Sequence, residues 1–344
     1  TVTFTAPKVA SVLPPACYQG GRLIVSDIGS PCELIESAGS HLNLNGQELA
    51  AKFLADSRRR PDANKGDAGK VLIIAGSRGK TGAACLAGEA AMRAGAGLVT
   101  VATAESSQPV VASRLLIECM TEPLAENSSG TISSDAVRAA MQLAAARDVV
   151  AVGPGIGSSD TSTRDFVREF VAARSRPIVI DADGLNCLAP WPESFKGSPE
   201  LPIVLTPHPG EMARLLGCSI AEVLRDRVEL ARRFAVAHSL ILVLKGSRTI
   251  VAGPDGEVYV NPTGNEGMAS GGTGDVLTGI TAALVAQHRA DPRGAVIAAV
   301  YLHGIAGDIA ASGLGTRAMI ASDIIVHLGD AFIEVGGDEE RLNR

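Results

Sequence analysis

Aromatic residues are scarce in this chain: Phe, Trp and Tyr make up 3% of its 344 residues, and there is a single Trp. With 46% hydrophobic content, the core must be built from Ala, Val, Leu and Ile. A basic excess is lacking as well. The formal net charge of −6 argues against a nucleic-acid surface, and the one basic run, Arg58-Arg59-Arg60, reads as a solvated linker face beside Pro61 and Asp62. The six cysteines (Cys17, Cys32, Cys85, Cys119, Cys187 and Cys218) form no CxxC pair and do not cluster with histidine. Neither a zinc site nor a disulfide framework is supported, and their dispersal in apolar surroundings fits a reducing, cytoplasmic setting. No apolar run reads as a membrane span of about 18 residues, and no signal-peptide pattern is present. The opening TVTFTAPK has no Met and reads as mid-strand, the expectation for a fragment or a trimmed product.

What is abundant is small. Thirty-eight glycines and frequent alanine suit close packing of helices on a sheet. The length allows one large domain or two modest ones, with a core that needs no covalent staples. Short apolar runs at 71–75, 98–102, 149–152, 178–180, 203–205 and 241–244 alternate with helix-like stretches at 82–94, 134–146, 161–174, 209–216, 220–238, 275–288 and 293–312. This alternation predicts an α/β fold with a mostly parallel central sheet and helices on both faces. In RTIVAGPDGEVYV, residues 248–260, two β-rich halves flank Pro254-Asp255-Gly256 and predict an antiparallel hairpin at one edge.

Residues 1–36 read as two strands, in TVTFTAPK and GRLIVSDIGSP, too few to fold alone. They must pack on the main domain or belong to a missing one. Residues 37–64 read as a polar linker with a helix over 47–55, residues 65–335 as the main domain, and 336–344 as a polar tail.

VLIIAGSRGKTGAA, residues 71–84, has the look of a phosphate-binding P-loop. That motif needs a glycine five residues before its Gly-Lys-Thr, and Ile74 stands there. Gly76 comes two residues too late, so a different use for these glycines is expected. Polar and glycine residues also follow the other core runs, at 153–157, 181–183, 206–211 and 245–246. In open parallel sheets ligands bind beyond the C-terminal strand ends, so this clustering marks a site.

The richest stretch is NPTGNEGMASGGTGDVLTGITAAL, residues 261–284. Gly271, Gly272 and Gly274 precede or open a helix, whose free N–H groups and dipole attract anions. Asp275 stands at the same helix end, where a carboxylate can take a proton from a hydroxyl that attacks phosphorus. An ordinary glycine loop with Asp275 as a cap is the alternative. Lys245 after ILVL reads either as a ligand contact or as a snorkelling strand-end lysine. His208, held between Pro207 and Pro209, is either structural or functional. The turn GPGIG lacks the full GxGxxG pattern and reads on its own as a tight strand-to-helix connection. Asp181 and Asp183 could hold Mg²⁺ through water or cap the following turn.

MASGGTGDVLTGITAAL resembles the anion-hole motif of ribokinase-like small-molecule kinases. TPHPGEMARLLG, DADGLNCLA, GPGIG and AGSRGKTGAACLAGEAAMRAGAGLVTVA narrow the resemblance to the ADP/ATP-dependent NAD(P)H-hydrate dehydratases, over about residues 65 to 330 and in the family's order. The resemblance implies repair of the 6-hydroxy hydrates of NADH and NADPH. A nucleotide, ADP or ATP with Mg²⁺, phosphorylates the C6 hydroxyl, and phosphate then leaves. It implies Asp275 as the base in contact with the hydrate. It puts His208, Pro209, Gly210 and Glu211, then Met212, Ala213 and Arg214, on the hydrate-binding surface, with Ala83, Gly155 and Gly157. It puts Lys245, Gly246, Ser247, Arg248 and Thr249 on the adenylate side of the nucleotide. Asn265, Glu266, Gly267, Met268, Ala269, Ser270 and Thr273 would line the nucleotide as well, with Gly271, Gly272 and Gly274 as the anion hole. Direct metal ligands are not assigned.

Residues 1–36 resemble the closing strands of an NAD(P)H-hydrate epimerase domain often fused ahead of the dehydratase, whose catalytic parts this chain lacks. A functional epimerase, fused or separate, is the implied pathway partner, and a homo-oligomer is the implied assembly. One departure is Asn64, where many relatives carry His. GGTGD alone also admits a ribokinase-like kinase of a pyrimidine or thiazole alcohol, and a non-catalytic nucleotide sensor is a third reading. TPHPGE, the GSxxxxGA loop and Asp275 favour the dehydratase.

Overall fold

A strand of alternating aliphatic residues with both faces apolar needs cover on both sides, and the chain supplies it from two sets of helices. The computed structural model describes residues 1–37, 39–56 and 60–336; Arg58, Arg59 and residues 337–344 of the expected tail lie outside the described residues. Twelve strands occur among the described residues: β1 (Val2–Phe4), β2 (Ile24–Ser26), β3 (Leu42–Leu44), β4 (Lys70–Ile74), β5 (Leu98–Ala104), β6 (Met120–Leu124), β7 (Val149–Val152), β8 (Ile178–Ile180), β9 (Ile203–Leu205), β10 (Ile241–Leu244), β11 (Ile250–Ala252) and β12 (Val258–Val260). Ten of them make one sheet in the order β3-β12-β11-β10-β9-β8-β7-β4-β5-β6. Every pairing is parallel except those of β11 with β10 and with β12. The expected hairpin is therefore present toward one edge. The sheet continues one strand further, through β3, from the segment read as a linker.

Alternate residues of β4 serve opposite cores: Val71 and Ile73 join one apolar cluster, Leu72 and Ile74 the other. The first cluster is covered by Thr81–Arg93, Thr273–Gln287 and Pro292–Leu314. Small side chains let these helices approach closely. A methyl group at Gly279 would collide with the carbonyl of Ala87 and reach 2.9 Å from the Ala90 Cβ. Pro292–Leu314 is long and apolar enough to span a membrane by length and composition, but most of it is buried in this layer. The second cluster is covered by Val137–Ala145, Thr161–Ala172, Pro209–Leu216 and Arg227–His238. The single helix expected over 220–238 is two, Ile220–Arg225 and Arg227–His238, broken at Asp226, whose carboxylate accepts from the Glu229 N–H at 3.2 Å and caps the second.

Candidate active site

The strands β4, β7, β8, β9 and β10 are mutually parallel and end on the same side of the sheet. Their following residues meet there. Lys245, just past β10, donates to Asp181 Oδ1, just past β8, at 2.7 Å. The other carboxylate oxygen accepts from Thr278 Oγ1 at 2.7 Å. Glu211 Oε2 lies 3.8 Å from the same ammonium. Burial works against the Lys245 charge, but the Asp181 and Glu211 carboxylates outweigh it and hold its pKa above the ordinary value. Lys245 is therefore a fixed cation at the sheet's ligand-binding edge.

Above it begins the Thr273–Gln287 helix. Its N-cap, Gly272, has φ +92 and supplies no side-chain cap. A side chain there would be strained and would also press Leu86 Cδ1 at 2.5 Å. The first-turn N–H groups have no partner within the helix, so they remain available to an anion. His303 fixes the start of this helix. Its Nε2 lies 3.1 Å from the Thr273 carbonyl, and burial pushes its pKa down to about 4. The neutral ring thus donates from Nε2.

Asp275 occupies the first turn beside this free N–H cluster. Burial first, then the Asp181 carboxylate, raise its pKa to about 7, with Asp183 and Glu211 adding to the rise and Lys245 opposing it. A carboxylate of that basicity is matched to proton transfer near neutral pH.

A cleft of about 990 Å³ opens along this edge. It is lined by Asp275, Gly274, Thr273, Gly272, Ser270, Ala269, Met268, Glu266 and Asn265 on one wall, and by Lys245, Gly246, Ser247, Arg248 and Thr249 on another. Gly267 packs instead against Thr316 and Met319, and Gly271 faces open space. Asp308 holds the first wall in place, accepting from the Gly264 N–H and from Asn265 Nδ2, both at 2.9 Å.

The remaining expected residues form a second group. A Cβ on Gly155 would stand 3.0 Å from Ala83 Cβ, so these two are neighbours. The Gly157 N–H donates to Asp183 Oδ2 at 3.0 Å, and Lys80 Nζ reaches the same oxygen at 3.0 Å. Lys80 thus pairs with a carboxylate. His208 lines the cleft and also caps its helix: Nδ1 accepts from the N–H groups of Gly210 and Glu211 at 2.9 and 3.3 Å, with Glu211 Oε2 accepting from the His208 N–H. Burial is the main cause of its lowered pKa, which the nearby Lys245 and Arg214 also favour. Met212 and Ala213 point elsewhere. Both are buried in the second apolar cluster, which corrects their expected place on a binding surface: helix periodicity turns them toward the sheet. Arg214 is tied to Asn186 Oδ1 at 2.8 Å.

Direct metal ligation does not fit this donor set. Asp181 is committed to Lys245 and Thr278, and Asp183 to Lys80, the Gly157 N–H and Ser158 Oγ. Among the described residues no three His, Cys, Asp or Glu side chains converge on a metal position. Thr278, His303 and Asp308 were not anticipated. Each is a polar residue in an otherwise apolar helix, and that was the available signal.

The wound, mostly parallel sheet with its antiparallel strands toward one edge is a ribokinase-like α/β fold, and the glycine-rich helix start with its adjacent carboxylate lies at its ligand end. The family model described as NAD(P)H-hydrate dehydratase matches residues 71–328, and the chain belongs to that family. The bifunctional NAD(P)H-hydrate repair enzyme Nnr of Moorella thermoacetica is 45% identical over 327 residues, 94% of this chain and 60% of that protein. The chain therefore spans about three fifths of that relative's length. The ADP-dependent (S)-NAD(P)H-hydrate dehydratase of Bacillus subtilis is 36% identical over 73% of this chain and 84% of its own length. A crystal structure of the Bacillus subtilis ADP/ATP-dependent NAD(P)H-hydrate dehydratase, co-crystallized with ATP/Mg²⁺, superposes with a TM-score of 0.72 at 31% identity, covering 85% of this chain and 98% of the other.

Proposed function

We infer that this chain dehydrates the S epimers of the NADH and NADPH 6-hydroxy hydrates, using ADP or ATP as phosphoryl donor. The observation that carries this reading is Asp275, a carboxylate with a pKa near 7 placed beside uncapped helix N–H groups. The C6 hydroxyl oxygen attacks the terminal phosphorus of the nucleotide while Asp275 takes its proton. The bond to the bridging oxygen breaks, and AMP leaves if the donor is ADP, or ADP if it is ATP. The helix N–H groups and Lys245 meet the charge on the transferring group. Hydroxide is a poor leaving group and phosphate a good one. The ring-nitrogen lone pair then expels phosphate from C6, and loss of the C5 proton restores the dihydronicotinamide. Mg²⁺ would arrive with the nucleotide phosphates and neutralise part of their charge; Asp181 and Asp183 are committed to other partners.

In this reading the nucleotide occupies the cleft between the 265–274 and 245–249 walls. The hydrate lies on the other side of Asp275, against Ala83, Gly155, Gly157 and the His208 end of its helix. Residues 1–36 are part of an epimerase domain. β1 and β2 pair in parallel over three residues, and Val2, Phe4, Ile24 and Ile28 are exposed, which leaves both strands an apolar face for further packing. An epimerase, fused or separate, is its pathway partner. Exposed Leu314, Ile320 and Val326 supply an apolar face for a homo-oligomer, and the cytoplasm is its compartment.

Incubating purified chain with NADH hydrate, Mg²⁺ and either nucleotide should restore the dihydronicotinamide absorbance for the S epimer and leave the R epimer unconsumed. Absence of recovery with both nucleotides overturns the reading.

A further inference from the structure

Tyr18 is the only Phe, Tyr or Trp among the described residues that line the 990 Å³ cleft. It does not come from the family domain, whose match begins at residue 71. It sits in a short 3-10 turn, Ala16–Gln19, in the N-terminal segment, and is 61% exposed. In a chain with three tyrosines, an exposed ring at a cleft mouth is a poor use of apolar surface unless something covers it.

Its neighbours indicate which end of the cleft it closes. Tyr18 lies within electrostatic reach of Arg227. That guanidinium holds the 245–249 turn from below, donating to the carbonyl of Ser247 at 2.9 Å and to those of Leu244 and Arg248 at 3.4 Å. Arg248 in turn donates to the Pro262 carbonyl at 2.5 Å. The turn is therefore a fixed wall, tied down by its own backbone. The phosphate-attracting helix start belongs to the opposite wall, beside Asp275. A nucleotide with its phosphates at that helix start extends its base toward the turn, where a flat apolar face is needed.

We propose that Tyr18, brought in by the segment ahead of the family domain, is the base-stacking wall of the nucleotide cleft. The N-terminal segment thereby completes the donor site of the domain that follows it. This rests on the cleft being the nucleotide site. Stacking of a base on an aromatic side chain is sequence-tolerant, so ADP and GDP should share the contact, whereas inorganic pyrophosphate has no base to stack.

The test is equilibrium binding of ADP and of pyrophosphate, each with Mg²⁺, to the full chain and to Tyr18→Ala and Tyr18→Phe. The expected result is ADP binding weakened at least about fivefold in Tyr18→Ala, pyrophosphate binding unchanged, and near-normal ADP binding in Tyr18→Phe. Unchanged ADP binding in Tyr18→Ala overturns the proposal. Equal weakening of ADP and pyrophosphate also overturns it, because the ring would then act through the turn and not on the base. If the unsubstituted chain binds neither ADP nor ATP, the nucleotide reading itself fails, and that outcome is seen before any variant is compared.

Discussion

Lys245 Nζ stands 2.7 Å from Asp181 Oδ1, and a Cβ on Gly274 would lie 3.3 Å from that nitrogen. The helix start and the ion pair are thus stacked, with the glycine leaving the lysine close beneath the backbone N–H groups. Asp181 is 1% exposed. Removing its partner strands a buried charge, which costs about 3–5 kcal/mol. Lys245→Met should lower urea stability by that order. Adding Asp181→Asn, which keeps an oxygen for Thr278, should recover most of the loss without recovering turnover. A single variant as stable as the parent would show that the pair is not a buried one in solution.

Asp275 links activity to stability in opposite directions. Its pKa of about 7 is above the ordinary 3.8. The folded protein therefore favours the protonated acid. That contribution to stability is complete below the ordinary value and is lost as pH rises through about 7. Catalysis needs the ionised form, so kcat should rise along an acid limb centred near 7. Asp275→Asn should cut kcat by about 10²–10⁴-fold and keep nucleotide binding. Its thermal midpoint should equal the parent's at pH 4 and exceed it increasingly up to pH 8. A midpoint difference that does not change with pH would reject the raised pKa.

His208 serves two purposes that substitution can separate. Its neutral Nδ1 caps the Pro209–Leu216 helix, and its ring lines the cleft. Because its pKa lies below the ordinary 6.5, the neutral cap contributes stability above that value, and the contribution is lost as pH falls through the folded pKa. Asn keeps a capping acceptor, whereas Ala forfeits about 1 kcal/mol. His208→Asn should therefore match the parent in stability at pH 8 and surpass it below pH 6. A raised KM for the hydrate in that variant would report the ring's contact with substrate. An unchanged KM would assign His208 to the cap alone.

Legibility in the sequence followed burial. Four strands in the middle of the sheet, β7, β8, β9 and β10, have the bounds their apolar runs predict, as does the Pro209–Leu216 helix. The two edge strands escaped notice. In β3 the central residue is the polar, half-buried Asn43, bound to Glu257 at 2.8 Å, and β6 reads MTEPL with a proline tolerated at an edge. An edge strand is covered on fewer sides, so its sequence carries a weaker pattern. GGTGD marked a helix start without a side-chain cap and an acid in its first turn. The basicity of Asp275 did not show, because Asp181, Asp183 and Glu211 arrive from other strand ends. The small residues of 82–94 face two ways. Ala84, Ala87, Gly88, Ala90 and Ala91 are packed in the core, while Ala83 meets Gly155 at the strand ends.

The two adjacent glycines of GGTGD should respond differently to one added methyl group. At Gly272, φ is +92 and a Cβ would meet Leu86 at 2.5 Å and Ala321 at 3.1 Å. Backbone strain and overpacking together make Gly272→Ala destabilising by about 1–3 kcal/mol or more, which also displaces the helix start. At Gly271 nothing lies within 4 Å of the added carbon, so Gly271→Ala should stay within about 0.5 kcal/mol of the parent. If phosphate approaches the loop closely at this residue, Gly271→Ala should nevertheless raise the KM for ADP while leaving the thermal midpoint unmoved. Denaturant titration and nucleotide saturation curves on the two variants check both halves. A Gly271→Ala enzyme with an unaltered KM for ADP would remove this residue from the anion hole and confine the hole to the N–H groups from Gly272 onward.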